Sequence, residues 1–380
     1  MRTSPIRGCG GDVARRSQLE VDNAPWLHQG DPDRIPPDLR PEVTHSAKDW
    51  PIVTATYLTG RVTSADGTSI GYRQLGHGPG LILVHGGGQS AQNLMDLAGA
   101  LSGDFTVYVP DRRGRGTSGP PGEHYGLSVE CQDLDALLRH SGSEFVFGLS
   151  SGALICLDAA VSLTQIRRLA LYEPPLSIDH STPVDWLARF DREVAEGKVG
   201  SAMITATRGT QTAPALIRLT PRFVLAPLLN MAARRGSTPA KEHGSAALRP
   251  MSRRRRVVLR VVLWPVRRFA ASRTPRGSGA DETAVPLGDL VPTMHSDAQL
   301  VLESEGRLHE YEALTIPVLL LGGSDSAPYL KGTLAALEAV LPNAQRIQLT
   351  GIGHLAPDNT GAPKRVAVEL GLFFGHRKRP

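Results

Sequence analysis

The feature that most constrains the fold of this chain is a serine set between two glycines, where an apolar strand meets a helix. Residues 145–149 have the short, continuous apolar character of a buried strand. They lead into Gly148-Leu149-Ser150-Ser151-Gly152 and then into a helix of small residues, the G-x-S-x-G pattern of a sharp strand-to-helix turn. Such a turn strains the serine backbone, and a Cβ two residues away would collide across it. The pattern therefore predicts an exposed Ser150 hydroxyl, a candidate nucleophile.

Two later loops supply candidates for the groups that activate a serine, which needs a base to take its proton and a third group to orient that base. The apolar strand at residues 316–321 ends in a turn that contains Asp325. A further strand, at residues 345–349, leads to His354, which is the one histidine among 12 in a glycine-flanked loop after a late strand. We therefore predict that Ser150, Asp325 and His354 form a catalytic constellation.

A glycine-rich segment nearer the amino terminus is a candidate site for developing negative charge. The apolar strand at residues 80–84 is followed by His85-Gly86-Gly87-Gly88. Glycines let backbone amides approach a tetrahedral intermediate, and loss of one such donor costs about 3–4 kcal/mol. Ser151 N–H lies at a helix start, where the amide donors and the helix dipole favour negative charge. We expect the Gly87 and Ser151 amides to form an oxyanion hole, with either neighbouring glycine as the alternative first donor, and the histidine to order the loop.

With these motifs in place, the chain resembles the α/β-hydrolase family. After another apolar strand, at residues 105–109, the segment Asp111-Arg-Arg-Gly114-Arg-Gly116-Thr-Ser118 looks like the D-x-R-G-x-G-x-S turn of that family. The resemblance covers about residues 58–175 and 310–375. It implies an α/β fold, with a mostly parallel twisted sheet, helices on both faces and a site at the carboxyl ends of the strands. It implies no particular substrate, because this fold hosts many chemistries.

The resemblance leaves two candidates for the acid. In this family the partners follow in the order serine, acid, histidine, and Asp325 fits that order after the penultimate strand. Glu173 is the alternative, since it lies just past the strand after the serine turn and some members of the family draw their acid from there. We favour Asp325. Asp111 and Arg112 are expected to build their turn and to take no part in the chemistry.

The rhythm of strands and helices divides the chain into three parts. Residues 1–55 are rich in proline, aspartate, arginine and glycine, which predicts a disordered or loosely attached arm. Residues 56–175 and 310–380 alternate strands with helices, which indicates βαβ units and the hydrolase core. In residues 176–309 this alternation stops, and in the family such an insertion forms a helical cap over the site. Helices are predicted there at residues 186–199, 214–235 and 253–269.

Basic charge is concentrated in one part of the predicted cap. The formal net charge is +5, but residues 246–276 contain ten arginines and no acidic residue. The basicity therefore marks one segment and does not indicate nucleic-acid binding. A helix over Arg253–Arg268 would place arginines beside a face of Val and Trp. One interpretation is weak association with an anionic membrane surface. The other, which we favour, is a cap helix with solvated arginines.

Composition and motifs together predict a cytoplasmic enzyme without a cofactor or metal ion. The three cysteines have no metal or disulfide spacing, which suits a reducing compartment. No apolar run reaches the roughly 18 residues of a membrane span, and no secretory signal is recognisable. The predicted function is hydrolysis of a small-molecule carboxylic ester or related acyl compound through an acyl-enzyme. The alternatives are a cofactor-free perhydrolase or haloperoxidase-like activity, and a non-catalytic binding protein with this fold.

Overall fold

The computed structural model describes residues 56–213, 215–236 and 285–375, and within them one eight-stranded sheet forms the centre of the protein. The strands are β1 Leu58–Thr63, β2 Ser69–Gly76, β3 Gly80–Val84, β4 Thr106–Pro110, β5 Phe145–Leu149, β6 Arg168–Tyr172, β7 Val318–Gly323 and β8 Ala344–Leu349. They lie in the order β1-β2-β4-β3-β5-β6-β7-β8. The β1–β2 and β2–β4 pairs are antiparallel, and the other neighbours are parallel. The predicted mostly parallel sheet is therefore confirmed.

Burial on both faces explains why the central strands read as continuous apolar runs. In β3, Leu81 and Leu83 pack into one core cluster while Ile82 and Val84 pack into the other. β7 divides its leucines and valine between the two clusters in the same way. Since successive side chains of a strand point to opposite faces, a strand covered on both sides must be apolar at every position.

Helices cover both faces of the sheet, as predicted. The described α-helices are α1 Met95–Leu101, α2 Leu127–Ser141, α3 Ser151–Ser162, α4 Leu187–Ala195, α5 Val199–Gly209, α6 Ala215–Leu219, α7 Arg222–Gly236, α8 Leu287–Leu290, α9 Met294–Glu303, α10 Pro328–Val340 and α11 Pro363–Phe374. Short 3-10 helices occur at Ala91–Leu94, Val291–Thr293 and Leu308–Ala313. Helices α2, α3 and α10 pack on one face of the sheet, and α1 and α11 pack on the other.

The segment between β6 and β7 contains helices α4 to α9 among its described residues, with boundaries that differ from the predicted ones. The helix predicted over residues 186–199 ends at Ala195, because Gly197 takes a left-handed φ of 66°. Helix α5 was not predicted at all. At its start a Cβ on Gly200 would lie 2.4 Å from the Asn230 nitrogen, so the glycine permits close packing against α7. The helix predicted over residues 214–235 is divided into α6 and α7.

Two predictions lie outside the described residues. These are the arm over residues 1–55 and the arginine-rich helix over residues 253–269. None of the helices in the described ranges has the length and apolar character needed to cross a bilayer.

Candidate active site

Ser150 occupies the turn between β5 and α3, with φ 55° and ψ −125°. An L-residue rarely adopts this left-handed conformation, and the surrounding backbone enforces it. A Cβ on Gly148 would lie 2.5 Å from the backbone of α3, and one on Gly152 would lie 2.4 Å from the backbone oxygen of His85. Ser150 N–H also donates to Tyr172 O at 2.9 Å, which fixes the turn to β6. The two glycines are therefore required by the tightness of the turn.

A chain of hydrogen bonds joins the serine to a histidine and a buried carboxylate. His354 Nε2 lies 3.0 Å from Ser150 Oγ, and His354 Nδ1 lies 2.7 Å from Glu173 Oε2. A carboxylate only accepts, so Nδ1 carries the proton and Nε2 accepts from the serine hydroxyl. The other oxygen of Glu173 accepts from Gly323 N–H at 2.6 Å. The carboxylate is thus fixed at both oxygens, and its side chain is 0% exposed.

The structure corrects the expectation that Asp325 orients the histidine. Asp325 is exposed, and its carboxylate accepts from Ser324 Oγ at 2.9 Å. Its backbone N–H donates to Ile352 O, which ties the loop to the histidine loop without turning the carboxylate towards the imidazole. Glu173 lies directly after β6, the strand beside β5, so its side chain reaches the histidine from within the sheet. The alternative acid is therefore the one that the structure brings to His354.

In the glycine-rich loop, the amides on both sides of Gly87 have acceptors within the protein. Gly86 N–H donates to Gln89 Oε1 at 2.9 Å, and Gly88 N–H donates to Asp297 Oδ2 at 3.2 Å. For Gly87, which lies between them and is half-buried, the described residues provide no acceptor. The Ser151 amide begins α3 on the other side of the serine. The Gly87 and Ser151 amides stay the predicted oxyanion donors.

His85 lies at the start of this loop, and its imidazole is neutral. Its Nδ1–H donates to Gly86 O at 3.0 Å, and its Nε2 accepts from Arg112 N–H at 3.2 Å. Burial lowers the pKa of His85 well below its ordinary value, and the positive charges of Arg115 and Arg112 lower it further. One donated and one accepted hydrogen bond suit the neutral imidazole. The contacts agree with the expected role of this residue in ordering the loop.

A buried ionic network lies beneath the serine turn, and sequence reasoning missed its central residue. Asp297 Oδ1 accepts from Arg112 Nη1 and from the Ser151 hydroxyl, both at 2.8 Å. Asp297 Oδ2 accepts from Arg115 Nη2 at 2.8 Å. Burial alone would raise the pKa of Asp297, but the two arginines hold it well below its usual range. Glu130 pairs with Arg112 at 2.7 Å and adds a second buried carboxylate.

Arg112 was expected only to build its turn, yet its side chain enters this network. Asp297 belongs to α9, within the segment predicted as the cap. No local motif marks either contact, because the partners come together only in the folded chain.

A cavity of about 120 Å³ opens beside the serine and histidine. One side is apolar, and another carries hydroxyl groups from the end of α5 and the start of α10. The apolar side chains include those of Pro175, Val184, Trp186, Met203, Val291 and Met294. In the described parts of the chain, no group of three or more His, Cys, Asp or Glu side chains is placed to share a metal ion. The cavity can enclose a small acyl compound with its carbonyl carbon near Ser150 Oγ.

The fold and the serine–histidine–carboxylate arrangement define a class of hydrolase, and comparison with known proteins identifies the family. Residues 81–369 match the model of the alpha/beta hydrolase family, and the chain belongs to that family. It is 37% identical over 115 residues to the uncharacterized hydrolase YraK of Bacillus subtilis, a match that covers 29% of this chain and 42% of the relative. It is 32% identical over 158 residues to N-formylmaleamate deformylase of Pseudomonas putida, which covers 39% and 59%. The matches thus span about half the length of these two relatives.

A solved structure extends the similarity over most of the chain. An alpha/beta hydrolase from Sphaerobacter thermophilus is 28% identical, with a TM-score of 0.59. The match covers 83% of this chain and 100% of that one. The likeness therefore extends over most of the chain.

Proposed function

We propose that this protein is a serine hydrolase that transfers the acyl group of a small carboxylic ester to water. The observation that carries the proposal is the continuous hydrogen-bond chain from Ser150 Oγ through His354 to Glu173. A serine becomes an effective nucleophile when a base can take its proton and a carboxylate fixes the tautomer of that base. Membership of a hydrolase family supports the same conclusion.

The contacts suggest how each group would act. Ser150 Oγ adds to the ester carbonyl carbon while its proton passes to His354 Nε2. Glu173 accepts from Nδ1–H and faces the positive charge that forms on the imidazole. The Gly87 and Ser151 amides bind the oxyanion. The carbon–oxygen bond to the alcohol then breaks, and the alcohol leaves with the proton from Nε2.

The second half of the reaction repeats these roles with water. His354 Nε2 takes a proton from water as the water oxygen adds to the acyl carbon, and the bond to Ser150 Oγ breaks. The serine oxygen recovers its proton from Nε2, and the carboxylic acid leaves. The same residues serve both halves because each is an addition to a carbonyl followed by departure of an oxygen group.

A formamide is the second candidate substrate, and a specific observation favours it. One relative is named a deformylase, and a formyl group is an acyl group attached through a carbonyl carbon. The mechanism above would cleave a carbon–nitrogen bond by the same sequence of additions and departures. Parallel assays on short-chain esters and N-formyl amides would rank the two bond types.

The serine itself provides the decisive test. We expect Ser150→Ala to abolish covalent labelling by a fluorophosphonate and to lower kcat on a p-nitrophenyl ester by a factor on the order of 10⁶. The matched control is Ser162→Ala, at the exposed end of α3, which should label and turn over as the unmodified protein does. Normal turnover by folded Ser150→Ala would contradict the proposal.

A further inference from the structure

The hydroxyl groups on one wall of the cavity donate their hydrogens to the protein. Thr207 Oγ1 donates to Met203 O at 2.8 Å, and Thr210 Oγ1 donates to Ala206 O at 2.9 Å. The Tyr329 hydroxyl donates to Thr210 O at 3.1 Å. A hydroxyl has one hydrogen and two lone pairs, so each of these groups can still accept a hydrogen bond but has no hydrogen left to donate.

Thr212 ends this series of hydrogen bonds. Its Oγ1 lies 2.9 Å from Thr210 Oγ1. Because the Thr210 hydrogen goes to Ala206 O, Thr212 is the donor of the pair. Hydrogen bonds in a chain polarise one another, which strengthens the oxygen at the open end as an acceptor. Thr212 is half-buried and lines the cavity, so a substrate bound there can reach its oxygen.

Apart from the candidate catalytic histidine, the described lining has no cationic side chain, and its candidate donors, the Gly87 and Ser151 amides, flank the serine. The Trp186 indole N–H donates to Pro183 O at 2.9 Å and is thereby occupied. Asp297 is the one acidic side chain on the described lining. An uncompensated anion placed against such a wall would lose its hydration without gaining a donor, which is unfavourable.

We infer, building on the proposed function, that the preferred substrate carries a hydrogen-bond donor at the end remote from the scissile carbonyl. A hydroxyl or amide N–H at that end donates to Thr212 Oγ1. A carboxylate at the same place would face these acceptors and is disfavoured. Thr212 is therefore a specificity-determining residue, and the substrate is an acyl compound with an uncharged tail that donates a hydrogen bond.

The test compares esters that differ only in the remote group. p-Nitrophenyl esters with a series of acyl chain lengths would each be made with a terminal hydroxyl, methoxy or carboxylate group. A second set of acetate esters would carry the same groups on the alcohol. At the best length, we expect kcat/KM for the hydroxyl compound to exceed that for the methoxy compound about fivefold, which corresponds to ~1 kcal/mol for one neutral hydrogen bond. The carboxylate compound should be roughly tenfold poorer than the methoxy compound or worse.

Two variants assign the preference to the residue. Thr212→Val should bring the hydroxyl-to-methoxy ratio of kcat/KM to about one. Thr205→Val is the matched control, since Thr205 lies on α5 but bonds to Glu193 Oε2 at 2.6 Å and does not line the cavity. It should retain the preference. Fluorophosphonate labelling of Ser150 would verify that each variant is folded.

The outcomes separate this inference from the proposed function. Equal rates for hydroxyl and methoxy esters in both sets, a preference for the carboxylate, or an unchanged preference in folded Thr212→Val would overturn the inference alone. Failure of every ester together with failure of Ser150 to label would overturn the proposed function, and the inference with it.

Discussion

Among single residues, Glu173 combines complete burial with contacts at both carboxylate oxygens. One oxygen faces the imidazole of His354, and the other accepts from the backbone of Gly323. Its backbone φ of 46° lies in the left-handed region. Residues held in such conformations by their surroundings occur often at functional sites. The backbone conformation and both carboxylate contacts therefore fix the orientation of the Glu173 side chain.

Replacement of each acidic candidate should distinguish their roles. We expect Glu173→Gln to reduce kcat by about 10⁴. If the amide oxygen of the glutamine accepts from Gly323 N–H, its NH₂ group faces His354 Nδ1, so the imidazole takes the wrong tautomer or loses its fixed orientation. Asp325→Asn should change kcat less than about twofold, since that carboxylate is exposed and bonds to Ser324. Steady-state kinetics on one p-nitrophenyl ester would compare them. The opposite ranking would show that the histidine takes its acid from the later loop.

Sequence alone predicts Ser150 and His354 because glycine-flanked turns mark both residues. The acid could not be decided in this way. Asp325 and Glu173 each follow the carboxyl end of an apolar strand, so local pattern treats them alike. Only the packing of neighbouring strands determines which carboxylate is buried and which faces water. The wrong preference for Asp325 thus arose from a tertiary difference that chain order does not encode.

The buried imidazole of His85 gives folding a pH dependence of defined sign. In the folded protein the lowered pKa of His85 keeps its imidazole unprotonated. In the unfolded chain the same imidazole binds a proton below about pH 6.5. Stability is therefore lost as pH falls below about 6.5, with a slope of up to ~1.4 kcal/mol per pH unit from this residue. Asp297 adds a loss of the same sign, but only below its ordinary value of 3.8.

Urea unfolding at roughly half-unit intervals between pH 7 and pH 5 would measure the contribution of His85 to the free energy of unfolding. We expect His85→Gln to show a flatter pH dependence than the unmodified protein, even if it is less stable throughout. His309→Gln serves as the control because His309 is highly exposed and pairs with Glu312 on the surface. Parallel curves for the unmodified protein and His85→Gln would contradict the assignment.

At the scale of elements, α9 connects the inserted segment to the candidate oxyanion site. Asp297 on this helix accepts from the Gly88 amide beside Gly87 and from the hydroxyl of Ser151. One carboxylate thus holds both sides of the site in which negative charge would develop. The helix also contacts the core elsewhere, where Glu303 Oε2 accepts from Leu127 N–H at 2.8 Å. Variants of Asp297 and Glu303 can therefore distinguish two roles of α9, namely positioning the candidate oxyanion donors and packing against the core.

Asp297→Asn should lower kcat roughly 10–100-fold with little change in KM, because loosened donors weaken binding of the transition state more than that of the substrate. Affinity for a trifluoromethyl ketone, which forms a tetrahedral adduct, should fall in parallel. Breaking a buried ion pair also destabilises the fold by about 3–5 kcal/mol, so kinetics should be measured well below the Tm. Glu303→Gln should reduce stability alone. Equal kinetic effects in the two variants would assign Asp297 a purely structural role.

The elements themselves were predictable to different degrees. Strand β5 has the predicted bounds, because a strand buried on two faces leaves an unbroken apolar signal. Helix α5 was missed because its glycines and threonines weaken the helical pattern. Its stability comes from packing, including the close approach of Gly200 to α7. Local sequence does not record a contact of that kind.

For the whole molecule, the separation of the chain into an arm, a core and a cap stays a prediction, as does a cytoplasmic location. The fold of the core is confirmed, and its family is shown by a match over residues 81–369. The arginine-rich segment over residues 246–276 lies among residues whose structure is not described. Its chemistry can still be examined directly in solution.

Even a solvated arginine face attracts an anionic surface, at about 1 kcal/mol per residue that comes close to it. We expect weak, salt-sensitive sedimentation of the protein with anionic vesicles and little with neutral ones. Replacement of the four arginines Arg253–Arg256 by serine should abolish this binding and leave hydrolysis of a small soluble ester nearly unchanged. Equal sedimentation with both kinds of vesicle, or none with either at low salt, would rule out a membrane role.

The pairing of β6 with β7 has a consequence for how the protein folds. Tyr172 lies opposite Leu321 in the register, although the two are about 150 residues apart along the chain. Ser150 and Glu173 precede the helices of the segment inserted between β6 and β7, whereas His354 follows them. Strands β6 and β7 must therefore pair before the three residues can form the candidate site. Long-range parallel pairing of this kind is intrinsically slow. In a nascent or partly refolded chain the nucleophile would stay inactive until β6 and β7 pair, so the appearance of activity would report that this long-range pairing has formed.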